Sequence, residues 1–250
     1  MKIFLMRYYF NFISVILCTI VTSCSTLKID QEYQQQTKHQ KILGSIGEQK
    51  GFILEKGYNS LAFPYYENEI LLSVKSISFN SATFKAFIKA KVGQSSAIQV
   101  NYADSLAQKP KFITLDIADR VLVLEQLKLP KNAFIHQFLS NKVDAQMVTS
   151  LALVLKPEDT KKLESAETVV LIQTSQKTYE VVLYTKHKPA HTIQLKDAVV
   201  FGYQASKFCW KQSSSYKLEL IDLVETNDKC PNNSYSSASS AKKNINYFKL

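Results

Sequence analysis

The chain has 250 residues, of which 46% are hydrophobic and 11% aromatic, and its formal net charge is +10 at pH 7. That length suits one large domain or two small ones and is ample for a buried core. The positive charge favours solubility or attraction to an anionic surface. Because no basic segment is interleaved with aromatic residues, as in a nucleic-acid groove, we expect no nucleic-acid partner.

The first 23 residues have the order of a bacterial secretory signal. Lys2 and Arg7 supply positive charge, a mostly apolar run extends over 8–21, and two small residues precede Cys24. The apolar run is short for a spanning helix, which needs about 20 residues. We therefore predict a removable signal peptide over 1–23. An uncleaved anchor and plain secretion are the alternatives.

The sequence Val21-Thr22-Ser23-Cys24 resembles the lipobox of bacterial lipoproteins, an aliphatic residue and two small residues before a cysteine. The resemblance implies that the Cys24 thiol receives a diacylglycerol and that the chain is cut just before it. The acylated Cys24 would then hold the protein on a lipid bilayer. Ser25 is similar to the following residue in lipoproteins of the outer membrane, which implies that location and leaves its periplasmic or outer face open.

The segment after Cys24 is polar and rich in glutamine, with little apolar content to bury. This composition predicts a tether over 24–43 that separates the membrane from a globular domain over 44–250. A flexible chain of this length spans tens of ångströms, at about 5–6 Å times the square root of the residue count.

Apolar and polar residues alternate in much of the remaining chain, which predicts strands. The first two, at 70–77 and 83–90, are predicted to form a hairpin across 79–81. Further strands are predicted, in order, at 97–102, 112–117, 148–155, 168–172, 178–184, 192–195, 198–203 and 216–224. Helices are predicted from Asp116 or Asp119 to about 128, from Asn132 to Leu139, and from Pro157. Residues 121–124 are also compatible with a strand.

This pattern predicts an α+β fold, mostly antiparallel sheet with a few short helices. The blocks 69–102 and 148–195 share a similar order of elements, although their sequences barely match. The order leaves open a duplicated unit, with two similar sub-blocks.

The cysteines predict one disulfide. Cys18 lies in the apolar run and would be removed with the signal peptide. With Cys24 acylated, Cys209 and Cys230 are the remaining pair, and an even pair in an exported protein is typical of a disulfide. Closing a loop of this size is worth about 3 kcal/mol in the chain-entropy model. Two free thiols are the alternative.

No catalytic, cofactor or metal motif is present in the sequence. No serine lies in a Gly-x-Ser-x-Gly elbow, and no glycine-rich phosphate loop is complete. The four histidines lack a neighbouring carboxylate or cysteine at ligand spacing, so we predict no metal site: His39, His136, His187 and His191. A pair of glycosidase carboxylates from distant positions is left open.

The stretch 201–210 holds the only tryptophan, two phenylalanines, a tyrosine and a cysteine. We predict a core strand in which Trp210 packs beside the disulfide, because aromatic side chains bury large apolar areas. The alternative is an exposed binding platform of Tyr203, Phe208 and Trp210 for a sugar ring or a peptide.

Three segments look like those of uncharacterised lipoproteins of flavobacteria and relatives: 138–145, 202–210 and 230–232. In addition, Asp104-Ser105-Leu106 is similar to the O-glycosylation signal found in the phylum to which flavobacteria belong. The resemblance implies an exported lipoprotein and no particular activity. The resulting hypothesis is a lipid-anchored envelope protein with a binding or structural role toward an unknown envelope protein or glycan. The alternative is an envelope hydrolase acting on cell-wall or glycan substrates.

Overall fold

The structure is a computed structural model that describes residues 26–51, 56–175, 177–213 and 216–243. Its strands are β1 Thr26–Ile29, β2 Glu32–Gln36, β3 Ile46–Gly51, β4 Lys56–Ala62, β5 Ile70–Ser78, β6 Lys111–Ile117, β7 Ala145–Val154, β8 Thr168–Ser175, β9 Thr178–Thr185, β10 Lys188–Gln194, β11 Val199–Gln212 and β12 Leu218–Glu225. Its α-helices are α1 Ser81–Gly93, α2 Arg120–Leu127, α3 Ala133–Asn141, α4 Pro157–Glu164 and α5 Ala238–Lys243. Single 3-10 turns occur at Pro130–Asn132 and Leu195–Asp197. The predicted α+β class, mostly antiparallel sheet with short helices, is confirmed.

The twelve strands form one sheet, and each pair between described strands is antiparallel. Its main path runs β1-β2-β11-β7-β6-β5-β8-β9-β10. The two longest strands, β7 and β11, pair at the centre. Strand β12 extends the sheet beside β11, while β3 pairs with β7 and with β4. Each central strand therefore has partners on both sides.

Successive side chains of the central strands alternate between the two faces of the sheet. Both faces are buried because other parts of the chain cover each of them. On one face, α1 covers an aromatic cluster that includes Phe79, Phe112 and Phe201. The other face carries the larger core, to which α2, α3, α4 and α5 contribute residues. In β7, Ala152 belongs to the first cluster and the neighbouring Leu151 to the second. This double burial explains why β7 is almost continuously apolar.

The predicted strand over 83–90 is wrong, because these residues belong to helix α1. The Asn80 side chain accepts hydrogen bonds from the backbone N–H groups of Ala82 and Thr83, each at 2.9 Å, and the Thr83 hydroxyl accepts one from the Asn80 N–H. This capping box starts a helix. The buried residues Thr83, Phe87 and Ala90 then follow the spacing of a helical face.

Two further predictions about this region are corrected. Residues 97–102 form no strand; instead, Ile98, Val100 and Tyr102 pack against the aromatic cluster as irregular chain. With α1 in place of a strand and 97–102 irregular, the block 69–102 no longer resembles the block 148–195. The two similar sub-blocks are therefore not confirmed.

Residues 26–43 do not form the tether predicted from their composition. Strands β1 and β2 make a hairpin, and Leu27 and Ile29 are buried in the aromatic cluster. Gln34 is 2% exposed and donates from its side-chain amide to Ser150 Oγ at 2.9 Å. Gly202 makes room for it, because a Cβ at that position would lie 2.8 Å from Gln34 Oε1. The burial of Leu27 and Ile29 and the hydrogen-bonded side-chain amide of Gln34 thus hold this polar segment in the sheet.

The predictions for the rest of the chain are largely confirmed. Strands lie at or near the predicted positions from 112 onward, including the β8–β9 hairpin. Helix α2 begins after Asp119, whose side chain accepts from the Leu122 N–H at 2.8 Å, and α4 begins at Pro157. Helix α3 is present too, but Asn132 makes no side-chain cap. Its amide instead donates to the backbone carbonyls of Tyr65 and Gln126.

Candidate functional site

The signal peptide over 1–23 and the lipidation site Cys24 lie outside the described residues. Within the described part of the chain, no helix is both long and apolar enough to cross a membrane.

The predicted disulfide is present between Cys209 and Cys230, with their Cα atoms 5.6 Å apart. It ties the chain after β12 back to β11. Two backbone hydrogen bonds reinforce this connection, from Trp210 N–H to the Tyr235 carbonyl at 2.7 Å and from Tyr235 N–H to the Trp210 carbonyl at 2.8 Å. The two connections together position the chain that leads into α5.

The residues of the alternative aromatic platform are buried in the larger core. Tyr203 is 3% exposed, and Phe208 and Trp210 are each 2% exposed. The indole of Trp210 meets the ring of His136 edge-on, with ring centroids 5.4 Å apart. These three side chains therefore offer no exposed surface to a ligand, because the sheet and the helices over it cover them.

A buried lysine lies beside two of the buried tyrosines. Lys41 is 8% exposed, donates from Nζ to the Tyr58 carbonyl at 2.7 Å, and lies 5.8 Å and 5.6 Å from the ring centroids of Tyr58 and Tyr203. Burial lowers the pKa of Lys41 and raises the pKa of Tyr203 to about 12. The aromatic faces partly replace the water that an ammonium loses on burial.

One histidine gains a partner that the sequence analysis missed. His191 Nε2 on β10 lies 2.8 Å from Asp159 Oδ1 on α4, and Lys162 Nζ lies 3.3 Å from His191 Nδ1. His191 therefore links strand β10 to both a carboxylate and an ammonium of helix α4. In the described residues, no group of three or more histidine, cysteine or acidic side chains is placed to hold a metal ion.

The loop that follows 97–102 contains the segment similar to a glycosylation signal. The Asp104 carboxylate accepts hydrogen bonds from the hydroxyls of Tyr102 and Ser81, and the bond from Tyr102 is the main reason that its pKa is lowered. Ser105 and Leu106 are exposed.

An opening for a ligand lies between β5 and β8, and we call it the β5–β8 groove. The two strands pair only at Ile70↔Leu171 and Leu71↔Val170. Beyond these pairs they diverge and leave an open groove of about 600 Å³, within the range of roughly 300–1,000 Å³ of ligand sites. Its apolar lining includes Leu72, Val74, Leu163 and Val169, and its charged lining consists of Glu164 and Glu167.

The segment that connects α4 to β8 keeps the groove open. Leu163 is the buried residue of α4 and anchors the end of that helix in the larger core. The following residues Glu164, Ala166 and Glu167 line the groove instead of pairing with β5. The backbone N–H of Glu167 already donates to the Tyr184 carbonyl on β9 at 3.0 Å. The chain therefore enters β8 without filling the place beside β5.

Strand β5 directs a row of backbone groups into this groove. The Leu71 carbonyl accepts from Ala118 N–H at 3.0 Å, and Phe79 N–H donates to the Pro110 carbonyl at 2.9 Å. Backbone groups alternate in direction along a strand, so the odd-numbered residues of β5 face β6. The backbone groups of Leu72, Val74 and Ser76 consequently point away from β6. The pair Leu71↔Val170 engages a backbone group of Leu72 with β8, whereas Val74 and Ser76 face the groove without a strand partner among the described residues.

Two hydrogen bonds orient the carboxylates of the groove. The Ser76 hydroxyl donates to Glu164 Oε1 at 2.8 Å, and the backbone N–H of Lys186 donates to Glu167 Oε2 at 2.8 Å. Both glutamates are exposed. Among the residues that the structure describes, neither glutamate is in an ion pair. Each therefore retains an oxygen for a ligand.

The open edge of β5 differs from the outer edge of the sheet at β10. Pro189 lies on β10 and cannot donate a backbone hydrogen bond, and Lys188 next to it is charged and exposed. Both features discourage the addition of a further strand. Of the β5 residues that face the groove, Leu72, Val74 and Ser76, none is proline or charged. The groove therefore lacks this protection.

Comparisons of the chain with models of protein families, with curated proteins and with solved structures found no match.

Proposed function

We propose that this protein is an envelope lipoprotein that binds an extended polypeptide segment in the β5–β8 groove by strand addition. The observation that carries the proposal is the run of backbone groups at Val74 and Ser76, beyond the last β5–β8 pair, which opens into the groove without a strand partner among the described residues. An added strand would form main-chain hydrogen bonds to these groups. Pockets for its alternate side chains would supply specificity.

The geometry of the groove suits a polypeptide better than a compact small molecule. Consecutive residues of a strand are about 3.4 Å apart, so groups on alternate residues repeat about every 7 Å. An extended peptide has donors and acceptors at the same repeat. The side chains of Leu72 and Val74 lie on the same face as Leu163, because the even-numbered residues of β5 share one face. Apolar side chains of the added strand would therefore pack on this face.

The second candidate is an envelope hydrolase acting on cell-wall or glycan substrates. The observation that favours it is the presence of two carboxylates, Glu164 and Glu167, in one groove. A glycosidase uses such a pair as acid and as base or nucleophile. Both side chains are exposed here, whereas the acid of a lysozyme-type site lies in an apolar pocket. We therefore favour binding over hydrolysis.

Attachment to the envelope is proposed to depend on Cys24. Cys24→Ala is expected to stop lipidation and to leave the precursor with its signal peptide. Acyl chains contribute about 0.8 kcal/mol per buried methylene, and stable anchoring takes two membrane signals, such as two chains. Mass spectrometry of membrane fractions would detect the change, with Cys18→Ala as the matched control. Normal cleavage and unchanged membrane association in Cys24→Ala would contradict the proposal.

Strand addition is tested by measuring the binding of fluorescently labelled heptapeptides to the full-length chain in mild detergent. The peptides alternate valine and threonine, and one central position is varied. We expect fluorescence anisotropy to show binding. Methylating the backbone nitrogens of one alternate set of residues should weaken binding at least tenfold, because a hydrogen bond is worth about 1 kcal/mol and several are lost. Methylating the other set should have little effect.

The two methylated peptides have the same composition and are controls for each other. Val74→Pro is the corresponding change in the protein, because it removes a backbone donor that faces the groove and leaves the β6 hydrogen bonds in place. We expect it to weaken binding without abolishing folding. Equal binding of both methylated peptides, or failure of every peptide to bind, would refute strand addition.

A further inference from the structure

We infer that the polypeptide segment bound in the β5–β8 groove carries a lysine or arginine side chain, which Glu164 and Glu167 recognise. This inference rests on the proposed function and specifies its ligand. The two carboxylates lie on one wall of the groove, at the ends of the segment that connects α4 to β8. Ser76 on the open edge of β5 donates to Glu164 Oε1 at 2.8 Å, so the carboxylates lie beside this edge. A peptide that adds to β5 would therefore present side chains to both carboxylates.

The carboxylates are held in place before any ligand arrives. Ser76 fixes Glu164 Oε1, and the backbone N–H of Lys186 fixes Glu167 Oε2. The second bond comes from a constrained turn, since Lys186 and His187 have positive φ values of 52° and 60°. Such backbone is unfavourable for residues other than glycine and asparagine. Orienting a charged acceptor in advance reduces the entropy lost when a ligand binds.

The surrounding positive charge does not neutralise the two carboxylates. Lys75 lies on β5 but its side chain is on the opposite face from Leu72 and Val74. Lys162 Nζ is engaged with His191 Nδ1 at 3.3 Å. Lys161 and Lys186 lie close in sequence, yet neither forms an ion pair with Glu164 or Glu167 among the described residues.

The chain as a whole has a formal net charge of +10, so its overall charge does not attract a cationic peptide. The charged lining of the groove is acidic only. This local reversal of sign favours a peptide that brings its positive charge to the groove and disfavours one that brings a negative charge. Charge complementarity therefore selects a basic segment among extended peptides.

The experiment uses the valine–threonine heptapeptides with lysine, glutamine or glutamate placed in turn at the third, fourth and fifth positions. At low ionic strength, we expect the lysine peptide to bind about fivefold to tenfold more tightly than the glutamine peptide in the best position, because exposed ion pairs are individually modest. The glutamate peptide should bind more weakly still. At about 1 M salt, where the Debye length is about 3 Å, the preference should largely disappear.

The variant that tests recognition is Glu164→Gln combined with Glu167→Gln. Each glutamine retains an oxygen that can accept the bond from Ser76 or Lys186, so the wall of the groove should keep its shape. We expect this variant to bind the lysine and glutamine peptides equally. Glu32→Gln combined with Glu219→Gln, on β2 and β12 and outside the groove, is the control for the loss of two negative charges and should keep the preference.

The outcomes separate the inference from the proposed function. If the wild-type protein binds the lysine, glutamine and glutamate peptides equally, and backbone methylation of one alternate set still weakens binding, strand addition stands and recognition of a basic side chain is refuted. A preference for lysine that persists in the double variant would also refute the role of the two glutamates. If no peptide binds, both proposals fail.

Discussion

Trp210→Ala is expected to lower the free energy of unfolding by about 3–5 kcal/mol, the usual effect of truncating a buried tryptophan. Its side chain is 2% exposed and belongs to the larger core. The substitution would leave a cavity bounded by the sheet and by His136 on α3. A domain stability of about 5–15 kcal/mol makes this a large fraction, so the variant should melt at a markedly lower temperature or fail to accumulate.

Denaturant unfolding followed by circular dichroism measures this loss. Phe134→Ala is the matched control, because Phe134 is an aromatic residue of α3 that is 84% exposed; its truncation should change stability by less than about 0.5 kcal/mol. In the wild-type protein, the single tryptophan should emit at short wavelength and be poorly quenched by acrylamide. Ready quenching, or a loss for Trp210→Ala as small as that of the control, would contradict the burial of Trp210.

Replacing Cys209 and Cys230 together by serine is expected to reduce stability by about 3 kcal/mol, since the disulfide closes a loop whose ends are 21 positions apart. The released segment includes Tyr235, which pairs with Trp210, and leads into α5, which packs against α3 and β11. We expect hydrogen exchange to increase first in α5. The two substitutions also remove a buried sulfur, because Cys209 is fully buried.

Reduction of the wild-type protein is the control for the double variant. If loss of the crosslink accounts for the stability lost in the serine variant, the reduced wild-type protein and the serine variant should unfold at similar denaturant concentrations. Thiol labelling of the denatured, unreduced chain provides an independent check, in which neither Cys209 nor Cys230 should react. Labelling of both thiols would show that the protein in solution lacks the disulfide.

The sequence alone determined most elements from residue 112 onward and the pairing of the two cysteines. In β6 and β7 the apolar runs are long enough to define strands, and Pro157 and Asp119 mark the starts of α4 and α2 by local chemistry. The disulfide followed from the count of cysteines in a chain predicted to be exported. These features depend on neighbours in sequence or on composition, which is why a single sequence is sufficient to predict them.

Tertiary packing decided the elements whose local signals conflicted. Thr83 to Ala90 alternates enough to suggest a strand, but the Asn80 cap and the aromatic cluster beneath it favour helix α1. The polar segment over 26–36 became a hairpin because β11 provides an edge for β2 and a glycine-lined space for Gln34. Burial of Leu27 and Ile29 then offsets the polarity of their neighbours.

The candidate site depended on tertiary structure entirely. Glu164 and Glu167 are ordinary surface residues in the sequence, and only the divergence of β5 from β8 places them beside an open strand edge. Ser76 is 88 residues from its partner Glu164, and His191 is 32 residues from Asp159. Hydrogen bonds between residues so far apart leave no periodic pattern in the chain. Whether the edge of a strand stays open depends on how all the strands of the sheet pair.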